Sequence, residues 1–261
     1  MLTNMTTSFI ARLRANDEAA WFELWETFGP VIRIQLSKWG RGRIGVETVR
    51  DLSQETLAAL SNSIERYDPA RGARFSTWLL AIAKHVLGDE IDRRMALKRG
   101  GGKANASFDE TWMKADAATG VDDAYEASVF RAKVAAAIRM VERETDFTDF
   151  TIYRMRVLDG QSGKEVALAI AVSEPTVSRK LAKVRELLRI KLREVISTYS
   201  FTKEELDEAD RNGLVEDPNT GVVEPAGAST KTADVMFDDA IGEIYHRQME
   251  LRAEDERNLL G

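Results

Sequence analysis

Apolar residues recur at steps of three and four between positions 9 and 39: Phe9, Ile10 and Leu13, then Trp21, Phe22, Leu24, Trp25, Phe28, Ile32 and Leu36. That is the period of a helix burying one face. Gly29-Pro30 interrupts the run and predicts either a kink or two helices. After a loop at 40–45, a second stripe of Val49, Leu52, Leu57, Leu60 and Ile64 predicts a helix over 48–66, ended by Tyr67-Asp68-Pro69. A third helix follows over about 75–95. Trp78, Leu79, Ile82, Val86 and Ile91 point inward there, and Lys84, His85, Asp89, Asp92 and Arg93 largely outward.

Residues 100–127 lose all periodicity and gain Gly, Ala, Ser and Asp, which reads as a flexible linker. Helices resume at 128–144 and 146–158 and Gly160 closes the second, while Ser162 with Glu165 offers a capping box for the next. Ile170 to Ser173 makes a short turn, and Glu174-Pro175 suits the first positions of a long helix reaching about Tyr199. Beyond it lie a short helix at 203–211, a stretch rich in Pro and Gly, and a helix over 232–258 with Val235, Phe237, Ile241, Ile244 and Met249 inward. No convincing strand pattern occurs. The expected fold is all-α: a helical domain at 8–99, the linker, a second helical domain at 128–199 and a helical extension at 200–261.

The helix, short turn and helix within 161–193 have the punctuation of a helix-turn-helix, with Val166, Ala167, Ile170, Val172, Val177, Leu181 and Val184 as its small core. In that motif the N-terminal turns of the second helix enter the major groove and neighbouring cations hold phosphates. Thr176, Ser178, Arg179, Lys180 and Lys183 stand where those contacts are made, and Arg185 follows on the same helix. The other basic segment combines Arg71, Arg74, Lys84, Arg93 and Arg94 with Tyr67, Phe75 and Trp78. Cations beside planar rings hold unstacked bases. The loop 68–74 is the better cradle for an extruded base, because Phe75 and Trp78 taken singly read as core.

Charge sharpens this picture. The chain carries −6 overall, yet residues 201–261 alone carry −10, which leaves the first 200 at +4. Phosphate binding follows where cations cluster and not the total. Cysteine is absent and the two histidines, His85 and His246, stand far apart, so thiolate or His-based metal chemistry is not expected. No carboxylate or second imidazole is evident to orient His85, which reads as a solvated helix residue. Walker-type glycine loops and nucleophile motifs are missing, so neither catalysis nor a cofactor is expected. No apolar run approaches the roughly 18 to 20 residues of a membrane span, and the start lacks signal-peptide order. A soluble, unprocessed, cytoplasmic protein is expected.

Three segments in order, FIARLRANDEAAWFELWETFGPVI, DLSQETLAALSNSIERYDPARGARFSTWLLAIAKHVLGDEIDRR and the helix-turn-helix over 161–189, resemble the small two-domain sigma factors of bacterial RNA polymerase, the extracytoplasmic-function group. The resemblance covers about 8–99 and 128–195. It implies a promoter-specificity subunit that binds core RNA polymerase, through the β′ clamp helices and the β subunit, together with promoter DNA.

On this resemblance the helix carrying DLSQE docks on the clamp helices through Asp51, Gln54 and Glu55. The −10 element is melted and read by Asp68, Arg71, Arg74, Trp78, Lys84, His85, Asp89 and Arg93. The −35 element is read by Thr176, Ser178, Arg179, Lys180, Lys183 and Arg185, and the linker runs towards the RNA exit path.

Two features depart from the family. Its basic residues on the recognition helix stand two apart around a serine, whereas this chain has Ser178-Arg179-Lys180, leaving either Arg179 or Lys180 as the base-reading cation. The minimal family also lacks the acidic extension. That extension is either a regulatory element folding back on a basic DNA-reading face or docking on polymerase, in place of or beside an anti-sigma protein, or a solubilising tail. The rival to the sigma reading is a stand-alone helix-turn-helix regulator, which usually dimerises on two half-sites.

Overall fold

The computed structural model describes residues 4–68, 74–98, 123–199 and 229–260. Every element among them is helical, and none is a strand. The chain divides into two compact units, one holding the residues up to Ala132 together with 254–261, the other running from Lys133 to Ala253.

In the first unit, α1 (Asn4–Arg14) turns through Asn16 at φ 56 into α2 (Glu18–Gly40). Asp17 caps α2 by accepting from the Ala19 and Ala20 amides, and Arg12 Nε donates to the same carboxylate at 2.8 Å. Pro30 lies inside α2, which continues through it as one helix. Leu24, Phe28, Val31, Ile32 and Leu36 are buried on both sides of the proline, so packing holds the helix where one backbone bond is lost.

Next come α3 (Val46–Ser63), a 3₁₀ turn (Ile64–Arg66) and α4 (Phe75–Lys98). Val49, Leu52, Leu60 and Ile64 are buried as the stripe requires, and Leu57 is half-buried. Ser53, Thr56 and Ser63 are buried as well, their hydroxyls donating to the carbonyls of Arg50, Leu52 and Ala59 one turn back. Bonding their own helix lets these hydroxyls sit on a core face at little cost.

Helix α5 (Asp123–Glu144) starts inside the stretch expected as linker, at 100–127. The reason is Tyr125, which is buried and donates from its hydroxyl to the Ser76 carbonyl at 2.7 Å. In the second unit, α6 (Phe147–Tyr153) passes into a π-helical segment (Arg154–Leu158), and Gly160 at φ 70 leads out of it.

The expected capping box opens α7 (Gly163–Ile170): Ser162 Oγ accepts from the Glu165 amide while Glu165 accepts from the Ser162 amide. Helix α8 (Glu174–Tyr199) follows. Val166, Ala167 and Val177 form the small core as expected, joined by Ile152 and with Met155, Ile170 and Val172 packed against it.

The last element, α9 (Ser229–Leu260), buries Phe237 and Ile241 as expected. Val235 and Met249, expected inward, are 58% and 44% exposed, and Gln248 is buried instead. Ion pairs from Asp234 and Asp238 to α8 set which stripe of α9 faces inward, so the face is partly ionic and an apolar pattern misplaces it. The helix expected at 203–211 lies outside the described residues.

The turn between α7 and α8 rests on Ala171, at φ 57 and ψ 45. This left-handed conformation crowds a Cβ and suits glycine. Ala171→Gly should raise stability by about 0.5 to 1 kcal/mol, read as a higher urea midpoint at unchanged slope. A lower midpoint would show that the turn is not strained.

Candidate nucleic-acid interface

Asp51, Gln54 and Glu55 are exposed on α3 at spacings of three and four, so they share one solvent face of that helix. On α4, Lys84, Gly88, Asp89, Asp92 and Arg93 are exposed along another such face. His85 is not simply solvated: its side chain is largely buried, and Nε2 lies 3.4 Å from Asp89 Oδ2, a carboxylate one turn on.

The connection between α3 and α4 is held at both ends by aromatic rings. Tyr67 packs edge-on to Phe75 with centroids 5.4 Å apart and stacks on Trp78 at 4.7 Å, and Phe75 also meets Phe28 at 5.8 Å. Arg14 Nη2 donates to the Tyr67 carbonyl at 2.6 Å. Trp78, expected among the −10 contacts, is therefore a core group here, 6% exposed, and its ring is already covered by Tyr67. Asp68 is exposed at one end of the connection, and Arg71 lies outside the described residues. At the other end Arg74 is paired with Glu126 of α5 at 2.6 Å.

Glu90 is 7% exposed and takes Arg94 Nε at 2.6 Å and Arg93 Nη2 at 2.6 Å. Burial alone would raise its pKa, but hydrogen bonds from Arg94 and Arg93 outweigh it and hold the carboxyl below its usual range. Arg94 also donates to Thr48 Oγ1 at 2.7 Å and to the Arg43 carbonyl at 3.2 Å, tying α4 to α3. Arg93 thus stays on the surface with one edge engaged.

At the start of α8, Ser178 and Arg179 are exposed and Thr176 is half-buried. Thr176 Oγ1 lies 2.9 Å from Ser173 Oγ and accepts from Arg179 Nη2 at 3.3 Å. The other cations are engaged. Lys180 and Lys183 both bond Asp149 of α6, the latter at 2.8 Å. Arg185 is 8% exposed and held by Asp234 and Asp238, so in this structure it is not at the surface. Arg189, which shares Asp234 with Arg185, is a cation that sequence reasoning passed over.

Asp149 is 5% exposed, and hydrogen bonds from Lys180 and then Lys183 hold its pKa below the usual carboxylate range. A depressed folded pKa contributes stability that is present above the unfolded value of about 4 and is lost as pH falls through the folded one. Urea titrations at descending pH should therefore show a loss of stability below about pH 4 that Asp149→Asn reduces. An unchanged pH profile in the variant would rule out this carboxylate as a contributor.

These acidic partners left no local signal. Lys180 and Asp149 are 31 residues apart, and Arg185 and Asp238 53 apart, far beyond the reach of helical periodicity.

Among the described residues no group of His, Asp and Glu could hold a metal ion, and no helix is long and apolar enough to cross a membrane. A family model described as Sigma-70 region 2 matches residues 36–96, which take in the end of α2, all of α3 and nearly all of α4. No curated protein and no solved structure matches the chain.

Proposed function

We propose, from the premise that residues 36–96 are a sigma-70 region 2, a domain of transcription initiation and not of catalysis, that this chain is a promoter-specificity subunit of RNA polymerase. The observation that carries the reading beyond the matched domain is the second unit. A capped helix-turn-helix presents Ser178 and Arg179 to solvent at the N-terminal turns of α8, where such a motif enters the major groove. One chain then addresses two promoter elements.

Asp51, Gln54 and Glu55 are the docking surface for the β′ clamp helices in this reading, and their exposure on one face of α3 supports it. Asp68, Arg71, Arg74 and the outer face of α4 with Lys84, His85, Asp89 and Arg93 meet the −10 strand. Trp78 and Tyr67 hold that face in place from below. Between the two candidate base-reading cations, Arg179 is favoured, because Lys180 is engaged by Asp149. Strand opening follows from differential affinity: the melted state is stabilised as far as unstacked bases bind this surface better than duplex does.

The test is transcription from a promoter library by bacterial core polymerase with and without the purified chain. New start sites sharing a paired −35 and −10 element are expected. No new start site, with duplex binding by the chain alone as a dimer, would replace this reading with that of a stand-alone regulator.

A further inference from the structure

Arg185 and Arg189 stand one turn apart on α8, and both are more than nine-tenths buried, although they lie beside the core stripe and not within it. What covers them is α9. Arg185 grips Asp238 with two parallel bonds, Nε to Oδ1 at 3.0 Å and Nη2 to Oδ2 at 2.6 Å, and its Nη1 reaches Asp234 Oδ2 at 2.8 Å. Arg189 Nη2 donates to the other Asp234 oxygen at 2.8 Å, and its guanidinium sits 4.6 Å from the centroid of the Phe237 ring. A Cβ on Gly242 would come within 3.0 Å of the Val157 carbonyl, so α9 docks on the π-helical segment by close backbone approach.

Two carboxylates one turn apart, meeting two guanidiniums one turn apart, reproduce the fork geometry with which arginine takes phosphate. Well-packed apolar residues would hold two helices together as well or better, because buried ion pairs seldom add net stability. Position completes the argument. Ser178, Arg185 and Arg189 fall at i, i+7 and i+11, on one stripe of α8. Arg185 is about 10 Å along the axis from Ser178, close to the roughly 12 Å width of a major groove. With the N-terminal turns seated in the groove, this stripe meets the bordering sugar-phosphate strand.

We propose that Arg185 and Arg189 form a binding site for a DNA backbone phosphate, and that α9 keeps it closed by placing Asp234 and Asp238 where phosphate oxygens would sit. This rests on reading α8 as a DNA-reading helix. The acidic extension is then a phosphate mimic that competes with promoter DNA for the same two side chains. DNA binding by the intact chain must exchange internal ion pairs for external ones.

The experiment compares duplex binding by the full chain, its Asp234→Asn/Asp238→Asn variant, and that variant with Arg185→Gln/Arg189→Gln added. The probes are a duplex selected by the wild-type chain and a mixed-sequence duplex. Removing the carboxylates should tighten binding by about tenfold or more, within the usual range of coupling between sites. It should also steepen the dependence of log K on log salt, by roughly 0.9 for each phosphate newly neutralised. The added arginine substitutions should abolish both gains. Gly242→Leu, which loosens α9 by steric pressure without touching a charge, should tighten binding in the same direction and covers the case in which the double variant fails to fold. Backbone amides of α9 should lose hydrogen-exchange protection when DNA binds.

Unchanged affinity and salt slope in the carboxylate and Gly242 variants, with the wild type binding normally, would overturn the proposal and leave the DNA reading of α8 intact. Failure of the wild type and of every variant to bind either duplex would overturn the DNA reading itself, and the proposal with it.

Discussion

Replacing Phe75 by alanine is expected to cost about 3 to 5 kcal/mol, the usual range for emptying a buried phenylalanine site. Phe75 is fully buried and is the common neighbour of Phe28, Tyr67 and Trp78. Its loss leaves a cavity that three rigid rings cannot close by rotamer changes alone. Domain stabilities are about 5 to 15 kcal/mol, so the loss takes a large share of what the first unit has. All five tryptophans, Trp21, Trp25, Trp39, Trp78 and Trp112, belong to that unit and residues 133–253 contain none, so indole fluorescence during urea unfolding reports on it selectively. A midpoint shift worth less than about 1 kcal/mol would mean that the aromatic cluster is not the keystone of this unit. Phe75→Leu should recover most of the loss.

Ile152→Ala should have its effect in the other unit, costing about 2 to 5 kcal/mol. The core between α6, α7 and α8 is small, with Ile152 packed against Val166, Ala167 and Val177. Removing Ile152 unseats α7 from α8, and with it the angle at which Ser178 and Arg179 are presented. Duplex binding should fall together with the helical signal at intermediate urea, while the tryptophan transition stays where it is in the wild type. A parallel shift of both transitions would show the two units unfolding as one. An unaltered helical signal would show that α6 is dispensable to the packing of α7 on α8.

The sequence is most legible where local rules decide. The capping box at Ser162 and Glu165, the turn ending at Ser173, the start of α8 at Glu174 and the core stripe of α3 each depend on residues within a turn or two of one another. It misleads where a tertiary contact outvotes a local signal. Pro30 does not break α2, since apolar contacts continue through it, and Asp123 opens a helix inside an expected linker because Tyr125 finds the Ser76 carbonyl.

The candidate site divides the same way. Ser178, Arg179, Asp51, Gln54 and Glu55 are legible as exposed positions on helix faces. The engagement of Lys180, Lys183, Arg74 and Arg185 is not, because each carboxylate comes from a distant helix. A count of basic residues therefore overstates the free positive charge of either segment.

The stacked rings of Tyr67 and Trp78, with Phe75 against both, have a consequence for how this protein can change over evolutionary time. They fix the two ends of the connection from Asp68 to Arg74, so the entropy of closing that loop is set by the core and scarcely by the residues inside it. Loop closure costs only about 0.6 kcal/mol for each doubling of length. Changes between the anchors thus weigh little on folding, so selection on this short segment is left to what it binds, while selection on its mounting is set by the core.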